Sequence, residues 1–129
     1  KTLVAGTFDN FHIGHQWLIW SAYHRSDKLV VIVARDKTVE QIKAQTPKNF
    51  ERARMARVLM EFVSYPNTKV RLGRQDRDFW MTIEEEQPNL ILLGYDQGFD
   101  EALCRKKFPN INIERCSAYG PDVFKSSKF

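Results

Sequence analysis

At 129 residues the chain has the length of one domain, long enough to bury a core without a disulfide or metal staple. Its composition, 43% hydrophobic and 28% charged, excludes a disordered tail, a collagen-like fibre and a disulfide scaffold, and no apolar run of about 18 residues could span a membrane. The net charge of +4 is unevenly placed: residues 35–57 carry +4 (Arg35, Lys37, Lys43, Lys48, Arg52, Arg54 and Arg57 against three acids), residues 104–129 carry another +4, and the remainder is −4. Two local basic clusters suit a small anionic ligand better than a nucleic acid, although basic runs are also common as solvated faces. Two cysteines, Cys104 and Cys116, and a strand-like opening (Thr2-Leu3-Val4-Ala5) without a signal-peptide pattern give the expectation of a reduced, cytoplasmic protein.

In chain order, strands are predicted over Thr2–Ala5, Leu29–Ala34, Lys69–Leu72, Leu90–Leu93 and Ile111–Arg115. Their apolar runs are nearly continuous rather than alternating, as in strands covered on both faces of a parallel sheet. Helices are predicted between them. Ile13–Arg25 is apolar around most of its circumference. Phe50–Val63 repeats apolar residues at helical spacing, with Asn49 as its N-cap. Phe79–Gln87 follows two candidate caps, Asp76 and Asp78, and precedes Pro88; Asp100–Phe108 stops before Pro109. Residues 35–48 read as a long basic loop. The order β-α-β-α-β-α-β-α-β implies an open parallel sheet in a three-layer α/β/α sandwich. Ligands of such sheets sit at the carboxyl ends of the strands, beside the switch point in strand order. The apolar surplus on Ile13–Arg25, with Trp17, Leu18, Ile19, Trp20 and Tyr23, suggests burial on two sides and a homodimer contact.

The loop after the first strand, Gly6-Thr7-Phe8-Asp9-Asn10-Phe11-His12-Ile13-Gly14-His15, is the most unusual segment. Gly6 permits a tight turn. The helix that follows offers unpaired N–H groups and a partial positive charge to a phosphate. His12 and His15, three apart, can project from its first turn on one side, with Gly14 leaving room for a ligand between them. Two imidazoles there can donate to phosphoryl oxygens. Zinc held by His12, His15 and Asp9 is the competing reading.

The decapeptide resembles the Gly-Thr-Phe-Asp-x-x-His-x-Gly-His signature of the cytidylyltransferase-like nucleotidyltransferases, and the resemblance extends over nearly the whole chain. It implies a Rossmann-like five-stranded sheet of order 3-2-1-4-5, a single domain over residues 1–129 that stops before the family's C-terminal helix, and transfer of a nucleotidyl group from an NTP to a phosphate-bearing acceptor with release of pyrophosphate. It implies His12 and His15 as donors to the phosphates, with Gly6, Thr7, Phe8, Asp9 and Gly14 lining the phosphate turn. Lys43, in Ala34-Arg35-Asp36-Lys37-Thr38-Val39-Glu40-Gln41-Ile42-Lys43, falls on a family phosphate-binding lysine; Gln45 and Thr46 stand where the family often carries a further base. Arg54 falls on a family arginine, or is an exposed helix charge.

Further along, Leu93-Gly94-Tyr95-Asp96-Gln97 resembles the family loop that meets base, ribose or acceptor, which implies contacts from Gly94, Asp96, Gln97 and Tyr95. Phe124-Lys125-Ser126-Ser127-Lys128-Phe129 resembles the Ile-Ser-Thr-Thr/Ser motif, with Ser126, Ser127 and Lys128 on the outer phosphates and Phe124 beside them. The combination is closest to archaeal-type FAD synthetases, acting on ATP and FMN. Glycerol-3-phosphate cytidylyltransferases, using CTP, are next, and a nucleotide- or flavin-binding module without transfer is the non-enzymatic reading. Mg²⁺ or another divalent cation would accompany the NTP, with no metal site assigned to protein side chains. No nucleic acid or membrane partner is implied. Phe99, Tyr119 and Phe124 are aromatics available to a flavin or a base.

Overall fold

A computed structural model describes residues 1–43, 46–62, 65–95 and 97–117, the side chains of Ile42 and Lys43 excepted. The chain runs β1 (Thr2–Gly6), α1 (Ile13–Tyr23), β2 (Leu29–Val33), α2 (Asp36–Lys43), α3 (Glu51–Glu61), β3 (Thr68–Leu72), α4 (Phe79–Glu86), β4 (Leu90–Leu93), α5 (Glu101–Lys107) and β5 (Asn112–Arg115). The five strands form one sheet in the expected order β3-β2-β1-β4-β5, and each neighbouring pair is parallel. The order reverses at β1, which pairs with β2 on one side and β4 on the other.

Alternate strand residues feed two cores. Val4, Leu29, Val31, Val33 and Leu92 pack with Leu18, Ile19 and Ala22 of α1 and Val58 of α3. Leu3, Val30, Ile32, Ile91 and Leu93 pack with Ile83 of α4 and Cys104 of α5. Every residue of β2 and β4 is buried, because helices cover both faces. Phe99 is partly buried and packs against this second layer, edge-on to Phe79 at 5.8 Å.

Two local expectations are corrected. Residues 36–43 are helix, not loop. Val39 is buried, and Val39 and Ile42 stand at helical spacing, a pattern only two residues long among charges. Asn49 does not cap α3: the cap position is Phe50, which makes no side-chain bond, and the Asn49 amide is turned to Asp9. On α1, Ile13 and Trp20 are each 44% exposed in the single chain. Trp17 stacks on Trp20 at 5.2 Å and donates its indole N–H to the Ser117 carbonyl at 2.7 Å. Of the two candidate caps for α4, Asp78 holds the position and accepts from the Met81 N–H. Among the described residues no helix is long and apolar enough to cross a membrane.

Away from the loop end of the sheet, Glu86 is almost fully buried (4% exposed) and gathers three cations: Lys1 at 3.0 Å, Lys69 at 2.9 Å and Arg71 at 2.9 Å. Burial pushes its carboxyl up, but bonds from Arg71, Lys69 and Lys1 outweigh that and bring it down to about 2. Its folded value lies below the ordinary 4.5, so the stability it contributes is complete above that value and is lost as pH falls toward about 2. Urea denaturation followed across this acid range should show Glu86→Gln less stable than the parent at neutral pH and with a flatter dependence on pH between about 5 and 2.

Candidate active site at the carboxyl ends of the strands

The loops after β1, β2 and β4 meet at one edge of the sheet. The loop after β1 is conformationally unusual: Phe8 and Asn10 both have left-handed backbone, with φ of 55° and 49°. A bulky residue rarely adopts that region without support. Phe8 has it, because its ring is buried at 2% exposure, lies against Gly6, and meets the His15 ring edge-on at 5.4 Å. A Cβ at Gly6 would come within 3.1 Å of the Phe8 ring, so glycine there makes room for that packing.

Asp9 ties this loop to the chain before α3. Its carboxylate accepts from the Lys48 N–H at 2.7 Å, the Asn49 N–H at 3.0 Å and the Asn49 side-chain amide at 2.9 Å, and it also accepts from the Asn10 N–H. Partial burial pushes the Asp9 carboxyl up, but these N–H bonds outweigh it and hold the group below the usual carboxylate range. Asp9 therefore remains an ionised acceptor engaged with the protein.

Arg54 is buried, at 1% exposure, not an exposed helix charge. Its Nε donates to the Asn49 carbonyl at 2.9 Å. Nη1 donates to the carbonyls of Thr7 at 2.7 Å and Ala34 at 2.8 Å, and Nη2 to Asp36 Oδ1 at 2.8 Å. One guanidinium thus joins the β1 loop, the end of β2, the start of α2 and the chain leading into α3.

His12 is the N-cap of α1. Its Nδ1 accepts from the Gly14 N–H at 3.0 Å, while His15 Nδ1 accepts from the His12 N–H at 3.2 Å. The pair forms a capping box built from two imidazoles, with their rings stacked at 3.9 Å. An Nδ1 that accepts carries no proton, so the neutral tautomer of each ring has its N–H at Nε2. The helix start therefore holds two Nε2–H donors, at the end where the helix dipole favours an anion. A Cβ at Gly14 would lie 2.9 Å from His12 Cε1 and 3.0 Å from Nδ1. The glycine makes room for the His12 ring.

Across β1, Gly94 donates its N–H to Gln97 Oε1 at 3.0 Å, and Gln97 Nε2 donates to the Ala5 carbonyl at 3.0 Å. Both polar ends of Gln97 brace the β4 loop against β1. Arg115, at the end of β5, donates to the carbonyls of Gly94 at 3.0 Å and Gln97 at 2.7 Å, and pairs with Glu101 at 2.7 Å. Tyr95 is 39% exposed on this loop. Lys43 is the last residue of α2. Asp96, Phe124, Ser126, Ser127 and Lys128 lie outside the described residues, as does Tyr119.

The structure thus brings together Gly6, Thr7, Phe8, Asp9, His12, Gly14, His15 and Arg54 around the first loop, with Gly94 and Gln97 braced against the end of β1. Sequence reasoning missed Asn49 and Arg115 as positioning residues. Arg115 had one legible signal, its place at the carboxyl end of the last strand. Among the described residues no three His, Cys, Asp or Glu side chains group as a metal site; both imidazole Nδ1 atoms and the Asp9 carboxylate are taken by backbone and amide N–H groups.

A parallel sheet with a phosphate-suited helix start beside its switch point defines an α/β nucleotide-handling protein. The family model described as cytidylyltransferase-like matches residues 3–118, and the chain belongs to that family of nucleotidyltransferases. Curated relatives include the FAD synthase of Aciduliprofundum boonei, 36% identical over 93% of this chain and 80% of its own. The FAD synthase of Thermococcus sibiricus is 36% identical over 99% of this chain and 88% of its own. A crystal structure titled as a lipopolysaccharide core biosynthesis protein, from Thermoplasma volcanium, superimposes with a TM-score of 0.79 at 34% identity, over 92% of this chain and 96% of that one.

Two substitutions test this architecture. Gly14→Ala should displace the His12 ring and lower turnover by about 10²-fold while leaving the melting temperature nearly unchanged, read by steady-state kinetics beside a thermal melt. Arg54→Met leaves three carbonyls and Asp36 without their donor, and should destabilise the fold by roughly 3 kcal/mol or more in urea denaturation.

Proposed function

We propose that the protein is an FMN adenylyltransferase, joining the AMP part of ATP to FMN to make FAD and pyrophosphate. The observation that carries the chemistry is the paired-imidazole capping box, two Nε2–H donors held over a helix start. The choice of substrates is supported by relatives named FAD synthase at 33–37% identity.

In this reading an FMN phosphate oxygen attacks the α-phosphorus of ATP in line. The new P–O bond forms as the bond from the α-phosphorus to the bridging oxygen breaks, and pyrophosphate leaves with that electron pair. No covalent enzyme intermediate is needed, so positioning and charge neutralisation carry the reaction. His12 and His15 donate to phosphoryl oxygens as negative charge builds. Lys43 approaches the acceptor and triphosphate, a flexible ammonium able to follow moving charge. Ser126, Ser127 and Lys128 hold the outer phosphates. The divalent cation, Mg²⁺, arrives on ATP as part of the substrate, in keeping with the metal's habit of binding through phosphates rather than a protein cage.

A grid of NTPs and acceptors with Mg²⁺ tests the reading. ATP with FMN should release pyrophosphate and form FAD in equal amounts. Release confined to CTP with glycerol 3-phosphate, or none with any pair, would overturn it. His15→Ala should lower FAD formation by about 10²–10³-fold with folding unchanged; full turnover in that variant would remove the histidines from the assignment.

A further inference from the structure

The segment between β4 and α5 opens with a turn, Gly94 to Gln97, closed by the Gln97 N–H donating to the Gly94 carbonyl at 3.2 Å. It stands beside β1, where the strand order reverses, and a ligand of an open α/β sheet sits in the crevice at that point. The polar groups at both ends of the turn are engaged by the protein. The Gly94 N–H donates to Gln97 Oε1 at 3.0 Å, and Gln97 Nε2 donates to the carbonyl of Ala5, the residue before Gly6. The carbonyls of Gly94 and Gln97 both accept from one nitrogen, Arg115 Nη1, at 3.0 Å and 2.7 Å.

Arg115 is itself fixed from two directions. Its backbone stands in the ladder opposite Leu93, and the Cys116 N–H donates to the Leu93 carbonyl at 2.7 Å. Its Nε pairs with Glu101 Oε1 at 2.7 Å, on the first turn of α5. Yet 37% of the Arg115 side chain is exposed, so water can replace the bonds it makes and little stability rests on them. What water cannot replace is their geometry. A rigid planar group, anchored to the sheet and oriented by α5, spans the two ends of one turn and sets how that turn faces the crevice. Gln97 does the same from the other side. Its acceptor meets the Gly94 N–H and its donor meets the Ala5 carbonyl, so the turn is tied to the strand that leads into the histidine loop.

Resting on the FMN adenylyltransferase reading, we propose that Arg115 and Gln97 are positioning residues for the nucleotide. They hold the Gly94–Gln97 turn in the place that ATP requires and act through that turn rather than by contact with the nucleotide. The β1 loop is held separately, by Arg54 at Thr7 and by Asp9 at Lys48 and Asn49. Loosening the turn therefore leaves the histidines in place, and the loss falls on ATP binding rather than on FMN binding or turnover.

The test uses the full chain and the variants Arg115→Met, Arg115→Lys and Gln97→Glu. The last keeps the side chain's size and sets an acceptor against the Ala5 carbonyl in place of the donor. Four quantities are read: KM for ATP, KM for FMN, kcat, and affinity for Mg²⁺–ATP alone by calorimetric titration, each beside a thermal melt. Arg115→Met and Gln97→Glu should weaken ATP binding and raise KM for ATP by about fivefold to thirtyfold. KM for FMN should stay within about twofold and kcat within about threefold, with the melting temperature nearly unchanged. Arg115→Lys keeps a charged donor and should recover part of the loss. FAD made with a normal KM for ATP in Arg115→Met and Gln97→Glu would sink the positioning role and leave the reading intact. Both KM values rising together, or a loss that tracks the melting temperature, would also overturn it, as the behaviour of a general brace. ATP bound by the parent and weakened in the variants, with no FAD formed, would sink the reading and leave the positioning role. No ATP bound or converted by the parent would overturn both.

Discussion

The Arg54 guanidinium is the constraint on which the rest of the site depends. A parallel sheet sends all its loops out at one end, and nothing in the strand ladder itself fixes them relative to one another. Arg54 does so with a rigid planar fork: carbonyls of Thr7, Ala34 and Asn49 and the carboxylate of Asp36 all accept from it. These acceptors belong to four chain segments. A buried charge with each of its nitrogens bonded is tolerable, whereas the same charge with one partner removed is costly. Displacement of any one segment therefore meets resistance from all four.

That restraint explains how the β1 loop keeps its conformation. Two non-glycine residues in left-handed backbone within three positions would not persist in a free loop. Here the Thr7 carbonyl is held by Arg54, the Phe8 ring is buried over Gly6, and Asp9 accepts from the chain before α3. The loop thus delivers His12 to the cap of α1 in a fixed place. The capping box then settles which nitrogen of each imidazole carries its proton. Arg54 and Asp9 hold the β1 loop by hydrogen bonds at Thr7 and Asn10, and the loop carries that support along the chain to the histidines. The opposite wall is braced in the same way, by Gln97 to β1 and by Arg115 to Gly94 and Gln97.

Much of this was legible in the residues. The continuous apolar runs of β2 and β4 announced strands buried on both faces, and the loop after β1 announced itself by composition. What could not be read was which polar groups meet across the sheet edge. Asn49 has the chemistry of an N-cap and the right place for one, but Asp9, 40 positions away, claims its amide. Arg54 carries the charge of a surface helix residue, yet its neighbours in space are carbonyls whose own positions depend on the fold. Residues 36–43 carry only two apolar side chains at helical spacing, Val39 and Ile42, and in the fold Val39 is buried while Asp36 meets Arg54. Phe99 sits on the loop after β4, and its ring also packs against Phe79 and Trp80, contacts the sequence could not show.

By itself the sequence determined the alternation of strands and helices, the parallel sheet, and the loop where chemistry sits. These follow from short-range periodicity and from a signature whose residues are adjacent in the chain. Tertiary structure decided the rest: that Gly14 serves the His12 ring, that Asp9 is a brace, that Arg54 is interior, and that Arg115 holds both ends of the Gly94–Gln97 turn. Each of these turns on contacts between residues distant in sequence, or on the direction in which a hydrogen bond must run. Such facts exist only once the carboxyl ends of the strands have been brought together.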